Sequence, residues 1–287
     1  MGVIADQQHP AGTGPAPGRR PADGTGAGSG DVRLELLPGA VAVIRLDRPP
    51  LNILDRDMQA RLHRAADEAA ERDDVRAVVL HGGPRAFSAG ADIREMAGMS
   101  HLAMSRHAPL LQAAFNAVAT IPKPVIAAVN GPALGGGCEL ALTADHRICG
   151  RGARLGLPEV LLGVMPGAGG TQRLPRLVGP ALAKDLMMTG RVVSAAEARS
   201  IGLVDEVVAD AQVLDRAVAR ATALAKGPAV ALAAIKQAVD QGGTTDLGSG
   251  LTLETRLFSA LFATDDRTAG MRGFLENGPG RAEFTGR

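Results

Sequence analysis

The sequence predicts an α/β fold in which strand–helix units come first and a helical segment comes last. Three observations carry that expectation. Short unbroken apolar runs, Ala77–Leu80 and Val125–Val129, read as buried strands, and each leads into glycine-bearing turns. Between them lie stretches with apolar residues at helical spacing. Beyond residue 170 helical signals dominate.

The elements follow in order. Residues 1–30 are rich in Gly, Pro and Ala and nearly free of large apolar side chains, so they are expected to stay disordered. Val32, Leu34 and Leu36 alternate, Pro38-Gly39 marks a turn, and Val41, Val43, Ile44 and Leu46 follow as a paired strand. Asp55 is placed to cap a helix running to about Asp73, with Met58, Leu62, Ala65 and Ala69 on one face. After the strand at Ala77–Leu80 comes a loop from Phe87 to Met96, then a helix from about His101 to Ala119, stopped by Pro122 and Pro124. A short helix should start within Gly135–Gly137, and Asp145–Cys149 reads as a strand. Ser194 with Glu197 forms a capping box for a helix ending at Gly202, and Val204–Val208 is β-like. Helices are expected over about 211–226, 228–240, 246–262 and 265–275. The chain thus divides into a tail (1–30), a core domain (31–210) and a C-terminal helical segment (211–287).

Composition removes several functions. With 31 basic against 30 acidic residues the formal charge is +1, which fits neither a broad nucleic-acid footprint nor a polybasic membrane anchor. Six Phe with no Trp or Tyr leave little for base stacking. No uninterrupted apolar run reaches the roughly 18 residues of a membrane span, and no signal pattern opens the chain. Cys138 and Cys149 read as buried small apolar residues in a reducing compartment, so the protein is expected to be cytoplasmic. The six histidines show no paired spacing for a metal, and His146 is expected to be a hydrogen-bonded core residue. Ser88, in Phe87-Ser88-Ala89-Gly90, lacks the first glycine of a nucleophile elbow.

What remains is a constellation of two glycine loops and two acids. Ala89-Gly90-Ala91-Asp92 and Gly131–Glu139 each follow a buried strand. A loop entering a helix leaves backbone N–H groups unpaired, and glycine lets a ligand oxygen approach them. Two such loops side by side supply an oxyanion hole, worth roughly 2.7–4 kcal/mol per donor in acyl chemistry. Taken singly, each loop is equally a tight turn packing helix on sheet. Glu139 sits among Cys138, Leu140, Ala141 and Leu142, and Glu159 precedes Val160-Leu161-Leu162. Burial and a neighbouring carboxylate both raise a carboxyl pKa, which lets acid and base roles coexist near neutral pH. Each Glu alone is equally a cap or a surface residue.

These residues carry a resemblance. Phe87–Ile93, Asn130–Leu140, Leu157–Gly163, Pro166–Arg173 (PGAGGTQR) and Phe262–Met271 resemble the enoyl-CoA hydratase/isomerase (crotonase) family, in the family's order. The resemblance implies a crotonase-type spiral of ββα units with a helical C-terminal segment, assembled as a homotrimer or a homohexamer made from two trimers. It implies that the N–H groups of Ala91 and Gly136 bind the thioester oxygen. Ala89, Gly90, Asp92, Ile93, Gly135 and Gly167 would contact the substrate, with Gly167 near the reacting water. It implies an acyl-CoA thioester partner, no metal, and no cofactor beyond the coenzyme A that is part of the substrate. Both acids are kept, as in the family's hydratases, so Glu139 and Glu159 are expected to add water to a trans-2-enoyl-CoA. A sister isomerase or dehydratase reaction and a non-catalytic binding protein on the same fold are the alternatives. By resemblance, Arg94–Leu111 would line the acyl pocket, where Met96, Met99 and Met104 would adapt to varied apolar chains or are equally ordinary core methionines. One departure stands out: Arg48-Pro49 is followed by Pro50 where relatives often place a base, so phosphate contacts are expected to shift to Arg45, Arg48 or a C-terminal basic residue of a neighbouring subunit.

Overall fold

A computed structural model describes residues 31–287; the expected tail lies outside the described residues. Strands β1 (Asp31–Leu37) and β2 (Val41–Asp47) pair antiparallel, with Leu37 opposite Val41 across the Pro38-Gly39 turn. β3 (Ala77–His81), β4 (Val125–Val129), β6 (His146–Gly150) and β9 (Glu206–Val208) then add in parallel, giving a six-stranded sheet ordered β1-β2-β3-β4-β6-β9. A second sheet, β5-β7-β8, joins Pro132–Leu134, Arg154–Gly156 and Val193–Ser194. β4 and β6 each pass directly into a strand of the small sheet, which is the spiral of β-β turns that the resemblance implied. The small strands have two or three residues each, too few for a period-2 signal, and the sequence reading missed them.

The apolar runs are unbroken because the large sheet is buried on both faces. Ala42, Ile44, Val78 and Leu80 point into the main core, with Met58, Leu62, Ala66 and Ala69 of α1 (Arg56–Glu71) and Phe115 and Val118 of α3 (His101–Ala119). Val41, Val43, Ala77, Val79, Ile126 and Ala128 face the other way, onto α8 (Val213–Ala225). There Val213, Ala217, Ala221 and Ala225 recur every four residues, a small-residue stripe that lets the helix lie close on the strands.

Caps behave largely as expected. Asp55 accepts the Met58 N–H at 2.9 Å. Ser194 accepts the Glu197 N–H at 3.2 Å to start α7 (Ala195–Ser200), but the Glu197 carboxylate turns to Arg191 at 2.6 Å, so the box has one arm. Part of the expected 87–96 loop is a helix, α2 (Ile93–Ala97), because the Asp92 carboxylate accepts the N–H groups of Arg94 and Glu95. α4 (Gly136–Ala141) begins where the glycine run predicted. α5 (Gly170–Val178) and α6 (Pro180–Thr189) fill the region after residue 170. His146 departs from its expectation: it is half-buried at the start of β6, 3.6 Å from Asp205, rather than bonded in the core. Both cysteines are free and buried, with thiols pushed up to about 12 chiefly by that burial.

α9 (Ala229–Gly242) and α10 (Leu247–Leu261) lie against each other and bury no residue of their own. α11 (Asp265–Asn277) precedes an extended stretch, its buried Asp266 accepting the N–H groups of Thr285 and Gly286. Among the described residues no single helix is long and apolar enough to cross a membrane.

Candidate active site

The site begins with an asparagine that the sequence reading passed over. Asn52 is buried, adopts φ 51°, and sends its side-chain amide to the carbonyls of Ala86 and Phe87 at 3.0 and 3.1 Å. Asn tolerates that left-handed backbone better than most residues, because its short amide can bond locally. Ser88 donates to the Asn52 carbonyl at 2.7 Å and accepts the Gly90 N–H at 3.1 Å. On one side of the loop Ala89 and Leu54 bond to Leu51 and Gly90; on the other Ser88 bonds both ends of β5. Ser88 is therefore a buried brace of the loop, with no nucleophile's setting.

That bracing places the first glycine loop against the second. A Cβ on Gly136 would lie 3.6 Å from the Ala91 nitrogen, and one on Gly90 would lie 3.2 Å from the Gly136 nitrogen. Gly90 has φ +99°, and its Cβ would come within 2.7 Å of the Leu134 carbonyl, so only glycine fits there. Gly136 is the first residue of α4, whose N–H has no intrahelical acceptor. Among the described residues, neither it nor the Ala91 N–H finds a backbone or side-chain acceptor. Two unsatisfied amides thus sit side by side.

Both acids come to the same place. Glu139, one helical turn beyond Gly136, is 3% exposed. Its Oε1 accepts the N–H groups of Ala168 and Gly170, each at 2.8 Å, while among the described residues no donor reaches Oε2. Burial raises its pKa, and the bound amides and the Arg173 charge hold that rise back. Glu159 opens a short 3-10 turn, Glu159–Leu162. Its Oε1 would lie 3.3 Å from a Cβ on Gly135, the residue before the Gly136 amide. Neither of its buried carboxyl oxygens has a hydrogen-bond partner. Desolvation is the main cause that lifts its pKa to about 7; the charge of Glu139 adds to it, and its own backbone N–H opposes it without forming a bond of regular geometry. The two carboxyls thus differ in their partners, Glu139 bound by amides and Glu159 unbound.

The other predicted residues divide. Gly135, Gly167 and Ala89 lie in the loops around the acids, and Gly167 offers its carbonyl to Gln112 at 3.0 Å. Asp92 uses its carboxylate to cap α2, and Ile93 is exposed on that helix. Met96, Met99 and Met104 are half-buried, not core. Arg45 is paired with Glu35 and Arg48 with Asp55, so both candidate phosphate contacts are engaged within the chain. Among the described residues no cluster of three or more His, Cys, Asp or Glu is placed to hold a metal. The loop amides of Ala168 and Gly170 had no signal of their own beyond lying in the Pro166–Arg173 segment.

A spiral α/β core that gathers two unbonded amides and two buried carboxyls defines the class of protein. The enoyl-CoA hydratase/isomerase family model matches residues 37–287, and the chain belongs to that family. It is 41% identical over 240 residues to a short-chain-enoyl-CoA hydratase of Clostridium acetobutylicum, covering 83% of this chain and 92% of that protein. It is 41% identical over 238 residues to a crotonyl-CoA hydratase of Syntrophomonas wolfei, covering 82% and 92%. The crystal structure of an enoyl-CoA hydratase from Bacillus anthracis superposes with a TM-score of 0.84 at 37% identity, covering 90% of this chain and all of that one.

Proposed function

We propose that this chain is an enoyl-CoA hydratase that adds water across the 2,3 double bond of a trans-2-enoyl-CoA to give a 3-hydroxyacyl-CoA. The observation that carries the reading is the contrast between the carboxyls: Glu139 gripped by two amides, Glu159 unpartnered with a pKa of about 7. The amides of Ala91 and Gly136 bind the thioester oxygen and stabilise the negative charge that grows on it. That polarisation makes carbon 3 electrophilic. Glu139, ionised, takes a proton from the attacking water; Glu159, protonated, delivers one to carbon 2. The proton then returns from Glu139 to Glu159, whose buried, unpartnered carboxylate favours its neutral form. Gly167 borders the water's position, and Ala89, Gly90, Asp92, Ile93 and Gly135 form the surrounding contact surface.

The same proposal extends to assembly. Residues 211–287 serve two ends: α8 seals the sheet, and α9 to α11 form the contact surface of a homotrimer or a pair of trimers. Supporting this, α9 and α10 leave Ile235, Val239, Leu247, Leu251 and Phe258 exposed, with Phe262 just beyond α10. The free buried thiols fit a reducing, cytoplasmic setting. Loss of the enoyl-thioester absorbance with crotonyl-CoA and longer homologues tests the reaction. Migration of the double bond without hydration would give the site to a sister isomerase.

A further inference from the structure

Arg173 sits half-buried in α5 with no carboxylate at contact distance among the described residues. A guanidinium in that setting is costly unless its charge or its donors are put to use. Its Nη1 donates to the Ala168 carbonyl at 3.1 Å, and its Nη2 donates to the Asn116 side chain at 2.6 Å. It folds so tightly over the loop that a Cβ on Gly169 would lie 2.0 Å from Nη1. Ala168 and Gly170, on either side of that glycine, are the residues whose amides grip Glu139. One helical turn from Asn116, Gln112 holds the next carbonyl of the loop, Gly167, at 3.0 Å.

We propose that Arg173, anchored by Asn116, is a positioning residue that fixes the loop 166–170 so that its amides hold Glu139 in place for proton abstraction. This rests on the reading of Glu139 as the base. Two chemical features support it. The planar fork of arginine serves two acceptors at fixed geometry, which a lysine ammonium does not reproduce. The guanidinium charge also favours the ionised carboxylate of Glu139. The charged groups around this pair are Glu159 on its 3-10 turn, facing Glu139, and Asp240 of α9, facing Arg173. Neither is bonded to the loop, whose side-chain contacts are made by Arg173, Gln112 and Glu139.

The test uses the full chain with two readouts. Carbon-13 NMR of labelled glutamate, assigned by the signal lost in Glu139→Gln, follows the titration of Glu139 in the free protein; crotonyl-CoA kinetics give kcat and KM. In Arg173→Gln, Glu139 should titrate at higher pH than in wild type and kcat should fall on the order of 100-fold, as for a misplaced catalytic group, with KM little changed. Arg173→Lys should keep the titration near the wild-type position while kcat remains low. Asn116→Leu, a change at an exposed position, should fold normally and lose kcat by a smaller factor. An unmoved Glu139 titration in Arg173→Gln, or wild-type kcat in Asn116→Leu, would overturn the proposal. The NMR shift does not depend on which reaction occurs. A shifted titration in a protein that fails to hydrate crotonyl-CoA would leave this inference standing and remove the functional one.

Discussion

Glu139 accepts two backbone amides on one oxygen, whereas Glu159, whose proton affinity Glu139 raises, accepts none on either. Hydrogen bonds to a carboxylate favour its charged form, and burial without them favours the neutral form. Glu159 is therefore the carboxyl whose surroundings favour the neutral form more strongly.

For this reason Glu159→Gln should lower kcat by about 10²–10⁴-fold, the usual range for losing a general acid, while crotonyl-CoA still binds. In the wild type, kcat/KM for hydration should fall as pH rises through about 7, because the acid must be protonated. A pH–rate profile with no basic limb in that region would take the acid role from Glu159.

The same carboxyl links pH to stability. Its folded-state pKa of about 7 lies above the ordinary value of 4.5, so the protonated group is the one the fold prefers. Its contribution is fully present below pH 4.5 and is lost as pH rises through about 7. Glu159→Gln should accordingly melt higher than wild type at pH 8 and match it near pH 4.5. Equal melting temperatures at both pH values would mean the carboxyl is better solvated than its burial indicates.

Replacing Gly90 probes the donor side. Alanine there must hold φ near +99° with its methyl driven toward the Leu134 carbonyl, a backbone strain of about 1–3 kcal/mol. Relief of that strain moves the loop that presents the Ala91 amide. Gly90→Ala should cost roughly 10²–10³-fold in kcat if one oxyanion donor is displaced. Wild-type turnover would mean that the amide is not used.

Phe258 stands in the exposed apolar band of α10. Phe258→Glu should break the assembly, and light scattering should then report the 29.3 kDa of a single chain in place of a multiple of it. An unchanged mass would put the subunit contact elsewhere.

The strands of the large sheet and the long helices were legible because burial on both faces leaves Ala77–Leu80 and Val125–Val129 without a polar residue, and because Asp55 caps where periodicity begins. Glu139 was legible as a charge inside an apolar run, and its burial is confirmed. Asn52, Asn116 and Gln112 were not. Their partners are backbone carbonyls and an arginine 30 to 57 residues away, and ordinary polar residues at unremarkable spacing announce no such bonds. The half-made capping box failed similarly, since the sequence does not reveal that Arg191 competes for Glu197.

Ala91 and Gly136 present their nitrogens from the main chain, not from side groups. Exchange of either side group leaves the N–H in existence; of the ordinary residues, only proline deletes it outright. In the proposed mechanism, point changes to the two glutamates would thus alter proton transfer while leaving both amides in place. A descendant of this chain would keep its electrophilic apparatus long after it had changed what it does to the molecule held there.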